Sequence, residues 1–140
     1  MGIRQLSVFV ENSTGKLQQI IDGLGAVGVN LRALSIAETA DFGILRLIVD
    51  DEQKARGVLK EMGVISKTTD VIAVYIDDKT GGLAAVLKTF TENNVDIEYM
   101  YAFLGRKEGK ALMVLKANDE EKAARILCEN GLELASPNVL

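Results

Sequence analysis

The chain says the same thing twice, and that repeat constrains its fold more than any other feature. Ser7-Val8-Phe9-Val10-Glu11-Asn12-Ser13-Thr14-Gly15-Lys16-Leu17 returns 66 residues later as Ala73-Val74-Tyr75-Ile76-Asp77-Asp78-Lys79-Thr80-Gly81-Gly82-Leu83. The same spacing carries Gly28-Val29-Asn30-Leu31 into Asn94-Val95-Asp96-Ile97. The register then slips by two. Asp51-Glu52-Gln53-Lys54-Ala55 matches Asp119-Glu120-Glu121-Lys122-Ala123, and Gly63 matches Gly131. Solenoid units run to roughly 20–50 residues, so a period of this length is a small domain. The reading is two copies of one fold, residues 1–70 and 71–140.

Each copy spells out the same order of elements. Residues 4–10 alternate, with Leu6, Val8 and Val10 on one face, which is a strand signal. Asn12-Ser13-Thr14-Gly15 breaks the alternation as a turn. Leu17, Ile20, Ile21, Leu24 and Val27 then follow helical spacing, and Gly28 is a natural stop. Strands are expected over 30–38 and 44–49, with Ala40-Asp41-Phe42-Gly43 as the turn between them. Asp50 or Asp51 is positioned to cap a helix carrying Ala55, Val58, Leu59 and Met62. A weaker fourth strand is expected over 64–69. The second copy has strands over 71–77, 96–104 and 110–116, with a longer turn at Gly105–Gly109. Its helix stripes are Leu83, Val86, Leu87, Phe90 and Ala123, Ile126, Leu127. Pro137 sits where a short final strand at a sheet edge tolerates it. Strand, helix, strand, strand, helix, strand is the ferredoxin-like βαββαβ plan. The expected class is therefore α+β: two antiparallel sheets, each with its helices on one face, packed side by side. The central strands are apolar on both faces. Packing between the halves accounts for that, and so does a homodimer interface.

Several chemistries are excluded by what is missing. There is no histidine, so the commonest acid–base group and the commonest nitrogen ligand for a metal are absent. Cys128 has no CxxC partner. Neither GxGxxG nor GxxxxGK[ST] occurs. A net charge of −4 gives no electrostatic reason to bind nucleic acid or an anionic membrane. No run approaches the roughly 18 apolar residues of a membrane-spanning helix, and no signal peptide is apparent. The expectation is a cytoplasmic, non-catalytic protein without metal or cofactor.

What remains are the two strand-to-helix loops. Each ends in Thr-Gly, one residue and Leu. Glycine lets backbone approach a ligand closely, and the amides at a helix start suit a carboxylate. Asn12 and Asp78 are placed to accept from an ammonium group or to cap the helix. A capped tight turn explains the same residues without a ligand.

Asn12-Ser13-Thr14-Gly15-Lys16-Leu17 and Asp78-Lys79-Thr80-Gly81-Gly82-Leu83 resemble the D-x-P-G-x-L opening of ACT domains. Gly28-Val29-Asn30-Leu31 and Asn94-Val95-Asp96-Ile97 resemble that family's entry into its second strand. The departures are Thr14 and Thr80 for Pro, Asn12 for Asp, and Asp96 for Asn. The resemblance covers essentially the whole chain as a pair of ACT domains. It implies a regulatory module that binds a free amino acid where two such domains meet. Carried over residue by residue, the ligand contacts are Asn12, Thr14, Gly15, Lys16, Asn30 and Leu31, with Asp78, Thr80, Gly81, Gly82, Asp96 and Ile97. Tyr99 and Tyr101, with Phe103 on one strand face, are either packing residues or a pocket wall. Arg32 and Glu98 occupy matching positions with opposite charge and are candidates to pair across an interface. The competing reading is a ligand-free regulatory subunit that docks on a metabolic enzyme.

Overall fold

The computed structural model describes residues 2–11, 13–38, 41–104 and 108–137. It divides into two compact units: Arg4–Thr69, called the first unit below, and Met1–Ile3 with Asp70–Leu140, the second.

In the first unit β1 (Ile3–Glu11) leads through a tight loop into α1 (Lys16–Ala26), then β2 (Leu31–Glu38), β3 (Phe42–Val49) and α2 (Glu52–Glu61). The strands are antiparallel in the order β2-β3-β1. On the far side of β1, the Phe9 N–H donates to the Ile65 carbonyl at 3.0 Å, so the chain returns alongside β1 before entering β4 (Ser66–Asp77). The second unit continues with α3 (Gly82–Glu92), β5 (Ile97–Ala102), β6 (Lys110–Ala117) and α4 (Glu120–Glu129), in the order β4-β6-β5. Its last strand is reduced to one bridge, Val74 with Leu134. Hydrogen bonds flank it from Tyr75 N–H to Glu133 (2.9 Å) and from Ala135 N–H to Ala73 (2.8 Å). Both units are thus the α+β, βαββαβ plan that the repeat implies.

The cores repeat as the sequence does. Leu6, Val8 and Val10 face Ile20 and Leu24 of α1, Leu45 and Leu47 of β3, and Ala55 and Leu59 of α2. In the second unit Val74 and Ile76 meet Val86, Phe90, Leu115, Ala123 and Leu127. Shared spacing places these side chains on one sheet face and two helix stripes. Burial of that apolar surface is the main force holding each unit together. The two-residue slip falls between β5 and β6, where a longer connection is absorbed without disturbing the core.

Two sequence expectations need correcting. Residues 64–69 and 71–77 are not separate strands; β4 is continuous over 12 residues. Lys67-Thr68-Thr69-Asp70-Val71 contains neither Gly nor Pro to interrupt it, and Thr and Val favour extended backbone. The turn expected at residues 40–43 is shorter, because Phe42 and Gly43 already belong to β3, paired with Glu11 and Val10. Ala40, and residues 105–107 of the longer turn, lie outside the described residues.

The second helix of each unit carries an aspartate cap. Asp51 Oδ1 accepts from the Lys54 N–H and Asp119 Oδ1 from the Lys122 N–H, both at 3.1 Å. Asp51→Ala and Asp119→Ala are each expected to destabilise by about 1 kcal/mol. Urea unfolding monitored by circular dichroism measures both, and a loss within error would show the caps to be redundant.

Candidate functional site

The loop after the first strand of each unit is built the same way twice. Ser13 N–H donates to the Glu11 carbonyl (2.8 Å), and Lys79 N–H to that of Asp77 (2.9 Å). The chain then has to reverse into a helix, and it does so through a left-handed residue: Gly15 at φ 86, ψ −4 and Gly81 at φ 84, ψ −5. Only glycine takes that conformation without steric cost, which is why Thr-Gly recurs. These glycines are the N-cap residues of α1 and α3, and a glycine brings no side chain of its own to cap its helix. Asp78 is not the N-cap residue of α3, and its N–H donates to the Gly109 carbonyl at 3.1 Å. Asn12 lies outside the described residues. With aspartate at the N-cap of α2 and α4, a left-handed glycine at the N-cap of α1 and α3 sets the Thr-Gly helix starts apart.

Behind this common geometry the loops differ. In the second unit Thr80, Gly81 and Gly82 line a hollow of about 460 Å³ with Asp77, Lys79, Thr89 and Asn130. Gly82 is buried, and a Cβ there would lie 2.2 Å from the Asp77 carbonyl oxygen. Lys16 holds the matching position in the first unit, so that loop runs less tightly. There Ser13 and Leu17 border a hollow of about 340 Å³ with Val10, Ile36, Glu11 and Glu38. Electrostatics diverge too. Asp77 is paired with Lys110, and with Lys79 at 3.8 Å. The hydrogen bond from Lys110, followed by that lysine's charge, holds the Asp77 carboxyl below its ordinary value of 3.8. Phe42 and Ser13 stand where the two lysines would be in the first unit.

The remaining candidates are at the other end of each sheet. Glu11 pairs with Phe42 and Leu31 with Val49, so the Thr-Gly loop and the start of β2 lie at opposite ends of β3. Seven strand steps separate them, about 23 Å. In the second unit Asp77 pairs with Lys110 and Ile97 with Ala117, the same span. Within one unit, then, the structure does not bring Thr14, Gly15 and Lys16 together with Asn30 and Leu31, nor Thr80, Gly81 and Gly82 with Asp96 and Ile97.

The start of the second strand is pinned by residues the sequence reading missed. Asn30 N–H donates to Asp50 Oδ1 (2.9 Å) while Asp50 N–H donates to the Asn30 carbonyl (3.1 Å). Asp96 and Asn118 exchange the same bonds at 3.1 and 3.0 Å. One acid and one amide form each clip, with their positions swapped between the units. The only available signal was that Asp50 and Asn118 match in the shifted register of the repeat. Tyr99 and Tyr101 pair with Lys116 and Val114 on the sheet face away from the helix-packed core, and do not line the Thr80–Gly81 hollow. Among the described residues no group of three His, Cys, Asp or Glu could hold a metal ion, and no helix is long and apolar enough to cross a membrane.

The matching positions make a direct test. Gly82→Ala is expected to destabilise by about 1–3 kcal/mol through overpacking against the Asp77 carbonyl. Lys16→Ala should stay within about 0.5 kcal/mol. Equal losses in thermal unfolding would contradict the asymmetry. Because the folded Asp77 carboxyl is depressed, its contribution is complete above pH ~4 and disappears as pH falls through the folded value. Lys110→Met should shift the Asp77 carboxyl titration upward, read by carbon NMR, and an unmoved titration would refute the pairing.

Comparison with known proteins matches the description "ACT domain pair" to residues 1–140. A solved protein from Bacteroides thetaiotaomicron is 37% identical, with a TM-score of 0.90, covering 98% of this chain and 94% of that one. The ligand-free regulatory subunit of aspartate kinase from Thermus thermophilus is 15% identical, at TM-score 0.66 over 91% of each chain. The corresponding subunit from Thermus flavus is 14% identical, at 0.63 over 92% of each. These last two likenesses concern the fold. No curated protein sequence matches.

Proposed function

This chain belongs to the ACT domain pair family, and on that premise we propose that it is a non-catalytic regulatory protein that binds a free amino acid. The observation that carries the reading is the duplicated turn at Gly15 and Gly81, the same to within a few degrees, with glycine as the N-cap residue of the helix that follows. Such a turn offers inward-directed amides and the positive end of a helix to a carboxylate. The separation of about 23 Å along β3 adds a condition. A free amino acid is far shorter than that, so a site using both a Thr-Gly loop and a second-strand start has to draw them from two ACT units. That condition supports a ligand at an interface between ACT domains, and a homodimer is proposed beside it. The cytoplasm is the compartment proposed.

A thermal-shift series with the twenty amino acids at millimolar concentration tests the reading. A ligand at about 100 times its dissociation constant stabilises by roughly 2.7 kcal/mol, a shift of several degrees for a chain this size. One amino acid, or one chemical class, is expected to give that shift. Thr80→Val should abolish it with little change in the ligand-free midpoint. Gly15→Val and Gly81→Val are poor probes, because a positive φ strains any branched side chain whether or not a ligand binds. A flat series from folded protein would favour docking on a metabolic enzyme. The fold shared with two aspartate kinase regulatory subunits supports that alternative.

A further inference from the structure

We infer that Arg32 is the carboxylate-binding side chain at the start of β2, and that the ligand taken there carries a free carboxylate. The inference rests on the amino-acid reading above and adds a residue that reading does not supply. Arg32 Nε is shut off from solvent and has no hydrogen-bond partner among the described residues. A buried donor without an acceptor is costly and rare, and the half-buried Arg32 keeps its charge at every accessible pH. An acceptor supplied from outside removes it. Asp50, which clips the start of β2 by taking the Asn30 N–H, is not a hydrogen-bond partner of Arg32 Nε.

Position strengthens the assignment. Arg32 directly follows Asn30 and Leu31, at the shift in strand pairing between Leu31 and Ala33. Such irregularities re-aim a side chain and concentrate beside binding sites. Glu98 holds the matching place, at the shift between Ile97 and Tyr99, and its charge acts on Lys116. A carboxylate drawn to Arg32 would be repelled at Glu98. The two second-strand starts therefore differ in sign, and only the one in the first unit accepts an anion. A planar fork of N–H donors matches a carboxylate in two parallel bonds, which the ammonium of lysine cannot copy. The carboxylate is either the α-carboxylate or that of an acidic side chain.

The experiment follows the Arg32 Nε–H resonance in full-length protein, assigned by its loss in Arg32→Gln. Probes are the twenty amino acids, the α-amide of any that bind, and sodium acetate. A bound amino acid is expected to move the resonance. Arg32→Gln should weaken its binding about tenfold or more, Arg32→Lys should restore only part, and the ligand-free melting temperature should hold or rise. An α-amide that loses the Arg32-dependent affinity identifies the α-carboxylate; an acidic amino acid that keeps it as the α-amide identifies the side-chain group. Undiminished affinity in Arg32→Gln, or an unmoved resonance at saturation, overturns the assignment while leaving amino-acid binding standing. If no amino acid binds, the functional reading fails and acetate decides Arg32 separately. A saturable shift supports the assignment, and a flat titration overturns it.

Discussion

The fold depends on one sharp reversal, made twice. After β1 and after β4 the chain must leave the end of the strand and lay a helix back across the same face. Backbone bonds from Ser13 to Glu11 and from Lys79 to Asp77 begin the turn, and a left-handed glycine completes it. Only then do Ile20 and Leu24 reach Leu6, Val8 and Val10, or Val86 and Phe90 reach Val74 and Ile76. A residue with a Cβ at Gly15 or Gly81 would set backbone strain against core burial at the point where each unit is joined together.

The same reversal puts a glycine at the N-cap of each helix, and function is argued from there. Aspartates close α2 and α4, so capping residues are not lacking where the fold needs only stability. Glycine at the N-cap of α1 and α3 forgoes a side-chain bond from that residue at two positions. Proteins tolerate such local deficits where a ligand completes the structure. Arg32 Nε, without a hydrogen-bond partner among the described residues, is a second deficit, and Arg32 directly follows Asn30 and Leu31, which the family resemblance marks.

Divergence between the copies is electrostatic more than structural. Asp77 is matched by two lysines, while Glu11 has Phe42 and Ser13 in their places. Arg32 answers to Glu98, Lys16 to Gly82, and the Asn30–Asp50 clip to Asp96–Asn118 with acid and amide exchanged. Backbone geometry is conserved between the units because cores and turns allow few solutions. Exposed charges are under no such constraint and are free to specialise.

Much of this was legible in the chain itself. The repeat named the fold because a period of this length with two helical stripes and alternating strands satisfies one plan. Thr-Gly marked both reversals because a left-handed residue has a local sequence requirement. Asp51 was readable as a cap for the same reason: its partner, Lys54, is three residues away. Non-local facts were not legible. Joining 64–69 to 71–77 as one strand required knowing what lies beside it. The Asn30–Asp50 clip spans 20 residues. The sequence could nominate the Thr-Gly loops and the second-strand starts together, but strand direction puts them at opposite ends of β3. Local chemistry, the propensities and caps and turns, is determined by neighbours in sequence. Which groups meet, and which stay unpaired like Arg32 Nε, is determined by tertiary packing, because burial and strand register bring residues together without regard to their distance along the chain.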